Sequence, residues 1–122
     1  VSTTQGEGFG LTHLEGMACG IPQVLPQYAG LADWPGTSVY TVPARCCLVT
    51  THGSNQIMRY PDPDDVAAAL ATLYKQPRLR AWYSQAALRH AQLPRFSWNQ
   101  LAQQFHGLCQ AVLEDRAHAI AT

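Results

Sequence analysis

The sequence predicts an α/β fold in which a few short strands precede three C-terminal helices, and three observations carry that prediction. A loop with glycine at every second position, Gly6-Glu7-Gly8-Phe9-Gly10, runs directly into a helical pattern that begins at Leu11. The apolar stretch Gln23-Val24-Leu25 stands between Pro22 and Pro26, as a brief strand does, because proline cannot donate to an interior ladder. From Asp62 onward the apolar residues recur at helical rather than alternating spacing.

In chain order, Val1-Ser2 reads as the end of a strand entering the glycine loop. Residues 11–19 form the first helix, with Leu11, Leu14 and Ala18 spaced to face a core. Gly20 suits the left-handed residue that ends a helix, and Pro22 prevents its resumption. Gln27 to Gly36 reads as loop. Ser38–Val42, Cys46–Thr51 and Gln56–Tyr60 are candidate strands, with Gly53-Ser54-Asn55 as a turn between the last two. Asp62 then caps a helix that has Pro63 in its first turn and Asp64 and Asp65 at its positive end. Its apolar face is Val66, Leu70, Leu73 and Tyr74. Pro77 ends that helix and opens the next, whose buried side is Leu79, Trp82, Tyr83, Ala86 and Ala87. Pro94 breaks it, and Ser97 caps a last helix with Leu101, Phe105, Leu108 and Val112 along one face.

Composition sets the limits. At 122 residues the chain is one domain at most. Only 13% of it is charged against 47% hydrophobic, well below the roughly 25% charged of an average globular domain. Its surface is therefore expected to be apolar or partly covered by a partner. A formal net charge of zero gives no electrostatic case for nucleic acid, which calls for a basic patch, or for an anionic membrane surface. No apolar run reaches the 18 or so residues of a transmembrane helix. Cys19, Cys46, Cys47 and Cys109 lack C-x-x-C spacing, which favours free thiols in a reducing cytoplasm over a disulfide framework.

The glycine loop and the helix after it carry the chemistry. A loop feeding a helix N-terminus gathers unpaired N–H groups and the positive dipole end in one place, a ready site for a phosphate. Glu7 sits in the loop and Glu15 about one turn into the helix, on the face that Leu11 begins. Main-chain donors suit a diphosphate, and ionised carboxylates, which only accept, suit sugar hydroxyls. A nucleotide sugar carries both kinds of group.

Glu7 to Glu15, with Phe9-Gly10-Leu11 inside and Met17-Ala18-Cys19-Gly20-Ile21-Pro22 after, resembles the E-x7-E signature of retaining glycosyltransferases with the GT-B fold, the large "glycosyltransferases group 1" family. The likeness is specific over residues 6–24, looser through Tyr28 and Asp33, and returns at Phe96-Ser97-Trp98. It implies the C-terminal part of a Rossmann-like donor-binding lobe, with few parallel strands followed by three C-terminal helices. The N-terminal acceptor lobe and the first part of the donor lobe would then lie outside residues 1–122. The resemblance implies metal-independent transfer of a sugar from a nucleotide diphosphate sugar, with retention and no further cofactor. Glu7 would be the catalytic residue, holding hydroxyls of the donor sugar close to the reacting carbon. Gly8, Phe9, Gly10 and Leu11 would contact sugar and diphosphate, Thr12 the phosphate, and Glu15 the ribose. The implied location is cytoplasmic, with a peripheral position on the inner membrane face open to the full-length enzyme.

Blander readings stand beside these. A bare pair of acids near a helix start is more often two solvated side chains; Phe-Gly-Leu between them and the helix end after them reverse that balance. A glycoside hydrolase also needs two carboxylates, but that reading explains neither the alternating glycines nor the anion-ready helix start. G-x-G-x-x-G fails because His13 stands where the third glycine belongs. His13 reads as a surface or packing residue, Cys19 as a small buried hydrophobe, and Trp34, Trp82 and Trp98 as packing residues. His52, His90, His106 and His118 show no metal-ligand spacing. Gly16 either weakens the first helix or permits close packing against it. Two further readings share the same residues: a non-catalytic nucleotide-sugar-binding or partner-associating remnant of the fold, and an α/β interaction domain without a ligand.

Overall fold

A computed structural model describes residues 1–34, 36–49 and 57–121, and these divide into two compact units, Val1–Ala91 and Gln92–Thr122. The first is built on strand β1 (Val24–Pro26), which pairs in parallel with β2 (Tyr40–Val42), Val24 opposite Tyr40 and Pro26 opposite Val42. The Gln23 carbonyl accepts from the Tyr40 N–H at 2.8 Å, and the next carbonyl, that of Val24, accepts from the Ser2 N–H at 3.0 Å. Successive carbonyls of an extended chain point opposite ways, so the segment leading into the glycine loop runs along β1 on the side away from β2.

Side chains alternate across this sheet, and each face has its own core. Val24 and Val42 pack with Val66, Ala69 and Leu73 of α2 (Pro63–Lys75). Leu25 packs on the other face with Met17 of α1 (Leu11–Ala18), Leu31, Trp34, Val39 and Ala87. The helix α3 (Pro77–Ala91) packs against both α1 and α2, adding Leu79 and Tyr83 to one core and Ala87 and Ala91 to the other. Helices on both faces of a parallel pair are the α/β arrangement that the sequence predicts.

The helix ends follow the sequence, and the buried faces depart from it. Gly20 adopts φ +70°; its N–H reaches the Met17 carbonyl at 2.8 Å and the Ile21 N–H the Gly16 carbonyl at 3.0 Å, a Schellman close to α1. The Asp62 side chain accepts from the Asp64 N–H at 2.9 Å, with Pro63 in the first turn of α2. Arg80 closes the other end of α2 by donating to the Leu73 and Tyr74 carbonyls at 3.3 Å. In α1, however, Met17 and Leu14 face the core while Leu11 and Ala18 are exposed. In α2 Val66 and Leu73 are buried as expected, but the third buried residue is Ala69, and Leu70 and Tyr74 are exposed. In α3, Trp82 lies outside and His90 inside. Cys19, expected to be buried, is exposed, and all four cysteines are free. At Gly16 the packing against α1 is close: a Cβ there would lie 2.8 Å from the amide nitrogen of the buried Gln23.

The stretch expected as loop after β1 contains a 3₁₀ turn, Ala29–Asp33. Strands β3 (Cys46–Val49) and β4 (Ile57–Tyr60) form an antiparallel hairpin, separate from the parallel pair, with Cys46 opposite Tyr60 and Val49 opposite Ile57. The turn expected at 53–55 lies outside the described residues. Tyr28 Oη donates to the Ile57 carbonyl at 2.6 Å. The second unit is a 3₁₀ turn, Pro94–Phe96, and the helix α4 (Trp98–Ala121). Ser97 opens α4, its carbonyl accepting from the Leu101 N–H at 3.0 Å. Leu101, Phe105, Leu108 and Val112 recur along the helix as expected, and all four are exposed.

Candidate functional site: the glycine loop and the start of α1

The loop before α1 is shaped by glycine where geometry demands it. Gly10 takes φ +88° and ψ +45° at the N-cap of α1, a left-handed conformation that costs any side chain. A Cβ there would also lie 2.6 Å from Leu31 Cδ2. The Gly10 carbonyl accepts from His13 and Leu14 at 3.0 and 3.1 Å and so starts the helix. No side chain caps α1. The N–H groups of Leu11 and Thr12 therefore carry no hydrogen bond among the described residues, and both residues are exposed.

Glu7 is half-buried, and its carboxylate folds back on the loop. Oε1 accepts from the Gly10 N–H at 3.1 Å and, more distantly, from the Phe9 N–H at 3.4 Å. Two of the main-chain donors expected to contact a ligand are thus already used to fix Glu7. Those left for a ligand are Gly8, Leu11 and Thr12. Glu15 lies on the solvent face of α1 with Leu11 and Thr12. That settles the position of Leu11: it shares the exposed side with Glu15 and leaves the core to Leu14 and Met17. Gly8 and Phe9 are exposed and Gly10 is buried. His13 is half-buried.

Behind the loop stands the Ala29–Asp33 turn with Trp34. The Gly30 N–H donates to the Glu7 carbonyl at 2.8 Å. The Trp34 Nε1–H donates to the Phe9 carbonyl at 3.0 Å. The Trp34 ring is buried between Phe9, with ring centroids 5.8 Å apart, and His90, at 5.5 Å. Packing is thus the role of Trp34 that the sequence favours, but the indole N–H has a second one that sequence does not reveal. Gly30 gave no signal beyond its place in a loop, because the close approach of two loops is a tertiary event.

A surface cavity of about 420 Å³ opens between Thr3, Gln5, Tyr60, Pro61 and the α2 residues Pro63, Val66, Ala67 and Leu70. It is lined by none of the site residues, and its walls offer little that would hold a charged group. The donors and carboxylates at the loop define the chemistry better than this concavity does. Among the described residues no group of three or more His, Cys, Asp and Glu could hold a metal ion. Nor is any helix there long and apolar enough to cross a membrane.

Comparison with known proteins gives the same region its relatives. A D-inositol 3-phosphate glycosyltransferase of Saccharomonospora viridis is 38% identical over 95 residues, 78% of this chain and 18% of its own length. The enzyme of that name from Kribbella flavida is 37% identical over 97 residues, 80% of this chain and 19% of its own. D-inositol 3-phosphate glycosyltransferase 2 of Catenulispora acidiphila is 31% identical over 102 residues, 84% of this chain and 20% of its own. The chain thus spans about a fifth of the length of these curated relatives. The family profile described as "Family 4 Glycosyltransferase in conflict systems" matches residues 1–105, which include the loop, α1, both cores and the first turns of α4. On that match the chain belongs to the family 4 glycosyltransferases of conflict systems.

Proposed function

We propose that residues 1–122 are the donor-binding segment of a longer glycosyltransferase with the GT-B fold, which transfers a sugar from a nucleotide diphosphate sugar with retention. The observation that carries the reading is the placing of main-chain donors with no partner among the described residues, at Gly8, Leu11 and Thr12, between a fixed carboxylate at Glu7 and an exposed one at Glu15. The diphosphate leaving group gathers negative charge as its bond to the sugar breaks. N–H groups and the positive end of α1 at that point stabilise it without a metal. Glu7, held by two amides, turns its remaining acceptor capacity to sugar hydroxyls and stabilises positive charge at the anomeric carbon. Glu15 accepts from the ribose hydroxyls. The acceptor is held by a lobe outside this chain, and the cytoplasm is the compartment proposed for the whole enzyme.

The test is kinetic, in the full-length protein. Glu15→Ala is expected to raise the donor KM roughly 10- to 100-fold, the loss of hydrogen bonds to a charged group. Glu7→Ala is expected chiefly to lower kcat. Unchanged kinetics in both variants would remove the site assignment. Donor binding without any sugar transfer would leave a nucleotide-sugar-binding remnant in place of an enzyme.

A further inference from the structure

We infer that Gly30 and Trp34 are positioning residues that turn the amide groups of the glycine loop toward the ligand side. The inference rests on the donor-site reading above and deepens it. All peptides of the described chain are trans, so within each planar peptide unit the C=O and the N–H point in opposite directions. The Glu7 carbonyl is held by the Gly30 N–H at 2.8 Å. The N–H of the same unit, that of Gly8, therefore points away from the Ala29–Asp33 turn. The Gly8 carbonyl lies directly against Gly30, in the space that a Cβ at position 30 would fill. The Phe9 N–H accordingly points away as well. The Phe9 carbonyl is held by the Trp34 Nε1–H at 3.0 Å, and the Gly10 N–H is turned outward with the others.

Three successive carbonyls thus face the brace and three successive N–H groups face the opposite side. A run of N–H groups aimed one way makes a concavity for anions. An anion already lies in it, the Glu7 carboxylate, on the Phe9 and Gly10 amides. The brace therefore fixes two things together: the direction of the Gly8 donor and the pose of Glu7. The ring contacts of Trp34 with Phe9 and His90 keep the indole in place from both sides.

The first test needs neither a ligand nor a substitution. In the 122-residue chain, labelled with ¹⁵N and ¹³C, NMR should detect through-hydrogen-bond couplings from Trp34 Nε1 to the Phe9 carbonyl carbon and from the Gly30 nitrogen to that of Glu7. Absence of either, where the β1–β2 bonds are seen, overturns the inference. The second uses Trp34→Phe, which keeps a ring and removes the donor. The Gly8 and Gly10 amides are expected to shift, and the Gly10 amide, buried and held by Glu7, to exchange at least tenfold faster, while the β1–β2 amides stay protected. 3-Benzothienylalanine at position 34 keeps the bicyclic ring and lacks the N–H, so the same loop response in that variant separates the hydrogen bond from the packing. Loop amides indifferent to Trp34→Phe overturn the inference. Titration with ADP, GDP and UDP distinguishes the two readings. Loop amides behaving as expected, with none of the three bound at millimolar concentration by the full-length protein, would sink the donor site and leave the brace standing. Binding by the unsubstituted chain that falls about tenfold in Trp34→Phe supports both.

Discussion

A methyl group at Gly30 would fall on the Gly8 carbonyl, and one at Gly10 on Leu31, but one at Gly8 meets nothing within 4 Å. The three glycines are therefore not equivalent, although their spacing alone gives no way to rank them. Gly10 also needs φ +88°, while Gly8 is not among the residues with positive φ. Gly10→Ala is thus expected to lower stability by about 1–3 kcal/mol. Gly8→Ala is expected to leave it unchanged or to raise it by up to about 1 kcal/mol, by restricting the unfolded chain. Thermal unfolding of the two variants checks both expectations. If the space at Gly8 belongs to the donor, Gly8→Ala also weakens nucleoside diphosphate binding without any loss of fold. The alternating glycines and the acid pair were legible in the sequence because they are local features. The two anchors behind them were not, since Gly30 and Trp34 reach the loop across more than twenty residues of chain.

At the scale of the element, caps were legible and faces only partly so. Asp62, Pro63 and Gly20 act within one turn of where they stand, so residue type and position suffice to place them. A face is fixed by what packs on it. Choosing Leu70 and Tyr74 over Ala69 follows side-chain size, yet a helix lying close on a short parallel pair takes in the small residue and turns the large ones out. The same substitution of small for large puts Ala86 and Ala87 of α3 inside and Trp82 outside. Where a large polar side chain does enter that layer, its ionisation is coupled to folding. Burial, with Tyr40 beside it, raises the Tyr83 hydroxyl above its ordinary value of 10.0. The folded chain therefore holds this proton more tightly than the unfolded chain does. Nothing changes below about pH 10, where both forms are protonated; above it, stability falls as pH rises through the raised value. Tyr83→Phe should flatten that fall. Denaturant melts of the two proteins between pH 9 and 11 check the difference, and parallel curves would exclude the coupling.

At the scale of the whole molecule, what was legible is the order of elements, and what was not is where the sheet stops. The strand β1 and the three C-terminal helices follow from glycine, proline and period, while the parallel pairing is what the family resemblance implies. The β3–β4 pair was legible as two candidate strands on either side of a turn, but its separation from the parallel pair was not, since no local pattern says which strands share a sheet. The division into two units has a sharper consequence. Both apolar clusters, and every hydrogen bond described at the glycine loop, lie within Val1–Ala91. Taken by itself, the second unit carries Leu101, Phe105, Leu108 and Val112 along α4, with Phe105 exposed by 70% and Leu108 by 66%. Each such side chain left in water forgoes about 1.5–3 kcal/mol of burial, so Val1–Ala91 is the unit that holds a core of its own. A chain ending at Ala91 keeps both clusters and is accordingly expected to unfold cooperatively. It should keep the loop amide shifts. At 91 residues it remains above the roughly 40 below which a core seldom suffices alone. Urea melts of the two lengths decide the matter: a shortened chain with no cooperative transition would show that the two clusters do not suffice for a fold.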